Sequence, residues 1–226
     1  MYFPLTQTFN FFDDIFSLIE LAKKQDFIKF ENQTWPGKRT LSISQLNFNL
    51  FSYVTRRQLR LFYDLEQLNV MSWAADSYFQ LSTPDDILEC QENMGWIHND
   101  LKSMLTTIIY LTPNNVNMGT SIFFPKQIGF IEDENLSLKT KFHSSYNPVL
   151  KDDELYEYEN NFNRRNEKFY EVSKFNSILN SCVFFDGSYA HAGHFNFDND
   201  ERLTLITFYK SIVTDKFPVP DSKKVI

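Results

Sequence analysis

The chain has 226 residues, of which 42% are apolar and 24 are phenylalanine, enough to bury one substantial core. Its formal net charge of −7 argues against a long surface that tracks nucleic-acid phosphates, because that binding needs clustered Lys and Arg. Cys90 and Cys182 are its two thiols, too few for a disulfide framework, so a reducing, cytoplasmic setting is expected.

Asp13 and Asp14 interrupt the first apolar run and no cleavage-site pattern follows, which argues against a signal peptide. No stretch approaches the ~20 apolar residues of a membrane span. From Asp13 to Lys24, Ile15, Leu18, Ile19 and Ala22 form one stripe, the period of a helix packed on a core. Trp35-Pro36-Gly37-Lys38 reads as a turn, and Thr55 to Leu68, with Leu59, Leu61, Phe62, Leu65 and Leu68, as a second helix. Trp73 to Ser82 has the form of a strand entering the core.

His98-Asn99-Asp100 follows. On a strand, positions i and i+2 point the same way, so His98 and Asp100 can grip one metal ion from one strand. Two imidazoles and a carboxylate on one face of an octahedron leave three positions open, the arrangement of non-haem Fe(II) sites that activate O2. The H-x-D pattern is weak alone and draws its weight from context. Lys102 to Thr112 is β-branched and aromatic, closes at Pro113-Asn114-Asn115, and reads as strand then turn; Gly119 to Pro125 repeats the pattern. Asp152 to Phe175 is densely charged and helical in character, a solvated helix in preference to a substrate lid. His143, with no partner motif, reads as solvated or capping. Ser181 to Phe185 is a strand running into the turn Asp186-Gly187-Ser188, after which His191 and His194 can each supply a third ligand. Arg202 to Lys210 is the last strand, alternating so that Arg202 and Thr204 share a face. Arginine's planar fork suits a carboxylate, and a threonine hydroxyl two residues on can add a bond to it.

Together these residues resemble the 2-oxoglutarate- and Fe(II)-dependent oxygenases, in their prolyl-hydroxylase-like branch. The matching features are His98-x-Asp100, the distal His191 before Ala192-Gly193, Arg202-x-Thr204 at the family's spacing from His191, and Tyr110-Leu111 ending the strand after H-x-D. The resemblance selects His191 over His194 and leaves His194 as a loop or substrate-facing residue. It implies a mainly β double-stranded β-helix, a cupin-like jelly roll, with flanking helices. One domain is expected over 1–226: helical support over 1–72, and a core over 73–212 with a charged insert at about 126–176. It further implies Fe(II) on His98, Asp100 and His191, 2-oxoglutarate with its distal carboxylate on Arg202, Thr204 and Tyr110, O2 as co-substrate and ascorbate as a reductant. Asp100 stands where halogenating relatives leave a gap, which favours hydroxylation. A small molecule or a peptidyl side chain such as proline is the expected substrate. Two other readings remain at this stage: a Zn(II) hydrolase on the same three residues, which leaves Arg202 unemployed, and a catalytically silent jelly-roll binding module.

Overall fold

The structure, a computed structural model, describes residues 3–65, 71–87, 94–127, 136–144, 150–195 and 201–215. Cys90, Leu68 and the parts of the expected insert at 128–135 and 145–149 lie outside the described residues.

The N-terminal segment opens with β1 (Thr6–Thr8). Asp14 then caps α1 (Ile15–Lys23), its carboxylate accepting from Ser17 N at 3.0 Å, and Ile15, Leu18 and Ala22 are buried as the stripe requires. After β2 (Lys38–Arg39) and the short α2 (Ile43–Leu46) comes α3 (Phe48–Leu59). The expected helix from Thr55 onward is thus misplaced. Asn47 starts α3 earlier by accepting from Leu50 N at 3.0 Å, and the chain leaves the helix at Arg60, so that Phe62 and Tyr63 are buried from a turn.

The remaining elements are β3 (Met71–Ser82), β4 (Leu105–Tyr110), β5 (Asn115–Pro125), α4 (Leu136–His143), α5 (Asp152–Asn166), β6 (Phe169–Ser177), β7 (Cys182–Asp186), β8 (Ala190–His194) and β9 (Arg202–Thr214). The charged segment expected to be helical through Phe175 divides. Acidic residues begin α5 and Arg164 and Arg165 end it, matching the helix dipole. Beyond it, Phe169–Ser177 pairs with β5 as an edge strand. Tertiary pairing there overrides local composition.

All strand pairs are antiparallel, in a six-stranded sheet of order β1-β7-β4-β9-β3-β2 and a three-stranded sheet of order β6-β5-β8. The two sheets face each other across Ile108, Tyr110, Phe185 and Ile206 from the large one and Ile122 and Phe175 from the small one. This is the jelly roll. The other face of the large sheet is covered by Phe11, Phe12, Leu18, Val54 and Leu59 of the N-terminal layer, packed on Phe79, Leu105, Phe184 and Leu205. β4 and β7 are therefore buried along their whole length, which is why neither shows the apolar/polar alternation of a half-exposed strand. No helix among the described residues is long and apolar enough to cross a membrane.

One polar network is sealed under the helical layer. Gln58 of α3 donates to Thr107 Oγ1 at 2.7 Å, and Tyr209 OH donates to Gln58 Oε1 at 2.7 Å and to Thr55 O at 2.9 Å. Gln58→Leu leaves Thr107 without its donor in a water-free layer, so a loss of about 1–3 kcal/mol is expected, read as a lower urea midpoint at unchanged m-value. An unaltered midpoint would show that apolar packing alone seats α3.

Candidate metal centre

The residues from Gly95 to Asp100 do not form the regular strand expected of them. They run extended beside β8 and its preceding turn, tied by Gly95 N to Gly193 O at 2.6 Å, by reciprocal His98–His191 backbone bonds of 3.0 and 2.8 Å, and by Asp100 N to Gly187 O at 2.8 Å. The close approach depends on glycine at the turn: a Cβ on Gly187 would lie 2.0 Å from Ser103 O and 2.7 Å from Asp100 O.

This pairing puts His98 and His191 side by side, with ring centroids 4.3 Å apart. His98 Nε2 is 3.9 Å from Asp100 Oδ1, and His191 Nε2 is 3.4 Å from Asp100 Oδ2. One donor atom from each of the three residues lies within 4.8 Å of the others, a set able to hold a metal ion. His194, three residues after His191, falls on the other face of β8. Its Nδ1 is 3.2 Å from Ser121 Oγ, and it is not among the clustered residues.

The donor set fits a divalent metal in more than spacing. His98 Nδ1 donates to Trp96 O at 2.8 Å and His191 Nδ1 to Tyr189 O at 2.9 Å; a carbonyl only accepts, so each Nδ1 carries the proton and each Nε2 keeps its lone pair for a ligand. Burial first, with the adjacent His191 imidazole and Lys139 acting in the same direction, pushes the His98 pKa down to about 3, so this imidazole is neutral. Burial acts the opposite way on Asp100, but His191, His98 and the hydroxyl of Thr106, which donates to Oδ2 at 2.8 Å, outweigh it and hold the carboxyl well below the usual carboxylate range. The Nε2 atoms of two imidazoles and an oxygen of one carboxylate thus lie close together as candidate ligands.

The three residues line a cavity of about 670 Å³ that also contains Arg202 and Thr120. Arg202 is buried, with its guanidinium carbon 5.5 Å from the Tyr110 ring centroid and 5.8 Å from that of Phe195. No carboxylate pairs with it among the described residues and its Nε has no acceptor; its polar neighbours are the Tyr110 hydroxyl and Thr120, whose Oγ1 is 3.4 Å from Nη2. Gly193 makes room for it, since a Cβ there would lie 3.0 Å from Arg202 Nη1. Tyr110 OH donates to the same Thr120 oxygen at 2.8 Å. Thr204 shares the face of Arg202, as the alternation requires, but its hydroxyl lies 3.5 Å from Gln80 O and it does not line the cavity.

Sequence reasoning missed several contributors. Thr120, and not Thr204, is the hydroxyl bonded to Arg202. Asn166, at the end of α5, clamps the metal-bearing segment: Ile97 N donates to its Oδ1 at 3.0 Å and its Nδ2 donates to Gly95 O at 3.2 Å. Trp96 joins the same contact, its ring 5.0 Å from Tyr158 and 5.8 Å from Phe162 of α5. The helix read as solvated is therefore docked against the site along one face. His143, read as solvated or capping, ends α4, where it is buried and lines the cavity, with burial pushing its pKa down to about 3. A spacing between motifs marked none of these.

Residues 4–207 match the profile of a family described as "Family of unknown function (DUF6445)". No curated protein matches the sequence. Among solved structures, the fold is similar to that of EvdO2 from Micromonospora carbonacea var. aurantiaca, at TM-score 0.53 and 9% identity over 96% of this chain and 90% of that one. It is also similar to HygX from Streptomyces hygroscopicus, solved with nickel and 2-oxoglutarate bound, at TM-score 0.52 and 12% identity over 91% of this chain and 82% of that one. A third is SnoN, a non-heme alpha ketoglutarate dependent epimerase from nogalamycin biosynthesis, at TM-score 0.51 and 11% identity over 91% of this chain and 76% of that one. The likeness is one of fold.

Asn166→Ala keeps all three metal-binding side chains and removes the clamp that holds their segment. A Co(II) or Ni(II) titration should then give a dissociation constant raised by roughly tenfold, the scale of lost support around a metal site. An unchanged constant would mean that the pairing to β8 fixes the segment without α5.

Proposed function

The chain belongs to the DUF6445 family, a family of unknown function, and from the geometry of its cavity we propose that it is an Fe(II)- and 2-oxoglutarate-dependent oxygenase that hydroxylates a small-molecule or peptidyl substrate. The observation that carries this reading is the buried guanidinium of Arg202, with no carboxylate partner among the described residues, in the same cavity as the His98, Asp100 and His191 cluster. Charge buried without a counter-charge is costly, so the site calls for an anion beside Arg202. A metal-using hydrolase needs no such group, and a silent binding module needs no metal cluster. The neighbours lend support: HygX was solved with nickel and 2-oxoglutarate bound, and SnoN is described as alpha ketoglutarate dependent.

In this reading His98, Asp100 and His191 hold the iron through two imidazole nitrogens and a carboxylate oxygen, and Arg202, with Thr120 and Tyr110 beside it, receives the distal carboxylate of 2-oxoglutarate. When bound, iron and 2-oxoglutarate supply the oxidising chemistry, in which O2 is consumed, 2-oxoglutarate becomes succinate and CO2, and the substrate gains a hydroxyl. The chain's contribution is binding, orientation and exclusion of water. The Trp96 and Tyr189 carbonyls hold the imidazole tautomers, Thr106 fixes the rotation of Asp100, and the apolar wall of Ile108, Ile206 and Phe195 limits water around the reacting groups.

Anaerobic titration tests the reading. Fe(II) followed by 2-oxoglutarate should produce a weak visible charge-transfer band; preference for Zn(II) without that band favours the hydrolase, and binding of neither favours the module. His98→Ala or Asp100→Ala should abolish metal binding while the fold persists, and His191→Ala should do the same where His194→Ala does not. Arg202→Ala should leave Fe(II) affinity nearly unchanged and raise the 2-oxoglutarate Kd by roughly 10- to 150-fold, since a hydrogen bond to a charged group contributes about 1.5–3 kcal/mol. Arg202→Lys should recover part of that loss, because a point charge lacks the planar fork. An unchanged 2-oxoglutarate Kd in Arg202→Ala sinks the co-substrate assignment.

A further inference from the structure

A second buried arginine lines the cavity and the proposed chemistry does not use it. Arg39 of β2 is 9% exposed, and its guanidinium carbon stands 4.0 Å over the Trp35 ring. Its Nε donates to Gln80 Oε1 at 2.7 Å, and no carboxylate pairs with it among the described residues. Burial lowers its pKa to about 10, so it remains a cation at neutral pH, and the nearby charge of Asp100 favours that form.

Strand register shows where it points. Arg39 lies opposite Gln80, Gln80 opposite Thr204, and Thr204 opposite Tyr110, one rung across the large sheet with all four side chains on the same face. From that rung the guanidinium leans along β9, 5.3 Å from the Phe208 ring, and Phe208 lies opposite Thr106, whose hydroxyl holds Asp100. Arg202 lies on the other side of the rung, beside Tyr110 and Phe195. The cavity thus has two separate cationic positions, one beyond the metal cluster and one next to it.

Its other walls have the same character. Among the described residues Arg39, Lys139, Arg165 and Arg202 line it with Asp100 as the one carboxylate, in a chain whose net charge is −7. Lys139 lies 5.1 Å from the centroid of Trp96, and its charge is felt at His98. Trp35 and Trp96 line the cavity with indole N–H groups that have no acceptor. These indole N–H groups and the terminal nitrogens of Arg39 are donors that a bound group with acceptor oxygens can meet.

Resting on the oxygenase reading, we infer that the substrate is a carboxylic acid whose carboxylate sits on Arg39, stacked beside Trp35 and presented to the metal cluster. With Nε held by Gln80, the two terminal nitrogens form the edge that a planar carboxylate can meet with paired bonds. Gln80 is a positioning residue, since it fixes the plane of the guanidinium. The aromatic rings of Trp35 and Phe208 on either side suit a substrate with an apolar body next to its acid group.

The test uses the full chain loaded with Ni(II) and 2-oxoglutarate, and both loadings are measured first on the same samples. Failure to load counts against the oxygenase reading; the outcomes that follow concern Arg39 alone. Calorimetric titrations with 3-phenylpropionate, hexanoate, L-phenylalanine and N-acetyl-L-phenylalanine, each beside its carboxamide, should show acids of the panel binding at least about tenfold more tightly than their amides. Arg39→Gln should erase that preference with the 2-oxoglutarate Kd unchanged, and Arg39→Lys should restore part of it. The inference is overturned if the loaded native protein binds no acid of the panel, or binds amides equally well, a comparison that needs no variant to fold. It is equally overturned if Arg39→Gln weakens 2-oxoglutarate instead, which makes Arg39 a co-substrate residue, or if inorganic phosphate competes at Arg39 better than any acid.

Discussion

Two backbone hydrogen bonds between His98 and His191 hold the centre together. They join a segment with no regular secondary structure to the short strand β8, and by pairing residues far apart in the chain they set two imidazoles side by side. A side chain that must aim within a fraction of an ångström needs a backbone that cannot slide. One antiparallel bridge, flanked by the Gly95–Gly193 and Asp100–Gly187 bonds, fixes the register of the whole segment. α5 seals the segment from the far side through Asn166, and the missing side chain at Gly187 lets the chains come close enough.

Electrostatically, the cavity is the inverse of the molecule around it. The chain is acidic overall, yet its concave interior holds four cationic side chains and one carboxylate. Low-dielectric walls strengthen each of these charges, and the aromatic rings of Trp35, Tyr110, Phe195 and Trp96 stand against them. Such a site concentrates anions and orients them. An acidic exterior does the opposite for nucleic acid, so the charge distribution and the cavity both direct the reading toward small or peptidyl acids.

The sheet that carries the site is stiff because it is buried on both sides. Its inner face meets the small sheet across Tyr110, Phe185 and Ile206, and its outer face is covered by α1, α3 and the Phe11-Phe12 pair. The helical layer thereby supports the strands that present Arg202, Thr106 and Tyr110, with Gln58 and Tyr209 adding polar ties where apolar contact alone would leave the helix free to shift. In that sense α1 and α3 buttress the site from behind the sheet, while Trp35 and Arg39 of the same N-terminal segment reach the cavity itself.

Periodicity and apolar runs were enough to place α1, β3, β4, β5, β7 and β9, and alternation put His98 with Asp100 and Arg202 with Thr204 on shared faces, because these are local properties of the chain; the jelly roll and the choice of His191 over His194 were what the family resemblance implied. Periodicity and apolar runs were not enough for the start of α3, which a side-chain cap at Asn47 decides, or for β6, where pairing with β5 overrides a charged composition. Nor could they reveal that His98 and Asp100 sit on an irregular segment held by one bridge, that Thr120 takes the place given to Thr204 beside Arg202, or that Arg39, Asn166 and His143 approach the same cavity. Those residues carry no motif. Their roles arise only when sheet register and helix docking bring distant parts of the chain within hydrogen-bond distance, and that is a property of packing which no stretch of sequence contains.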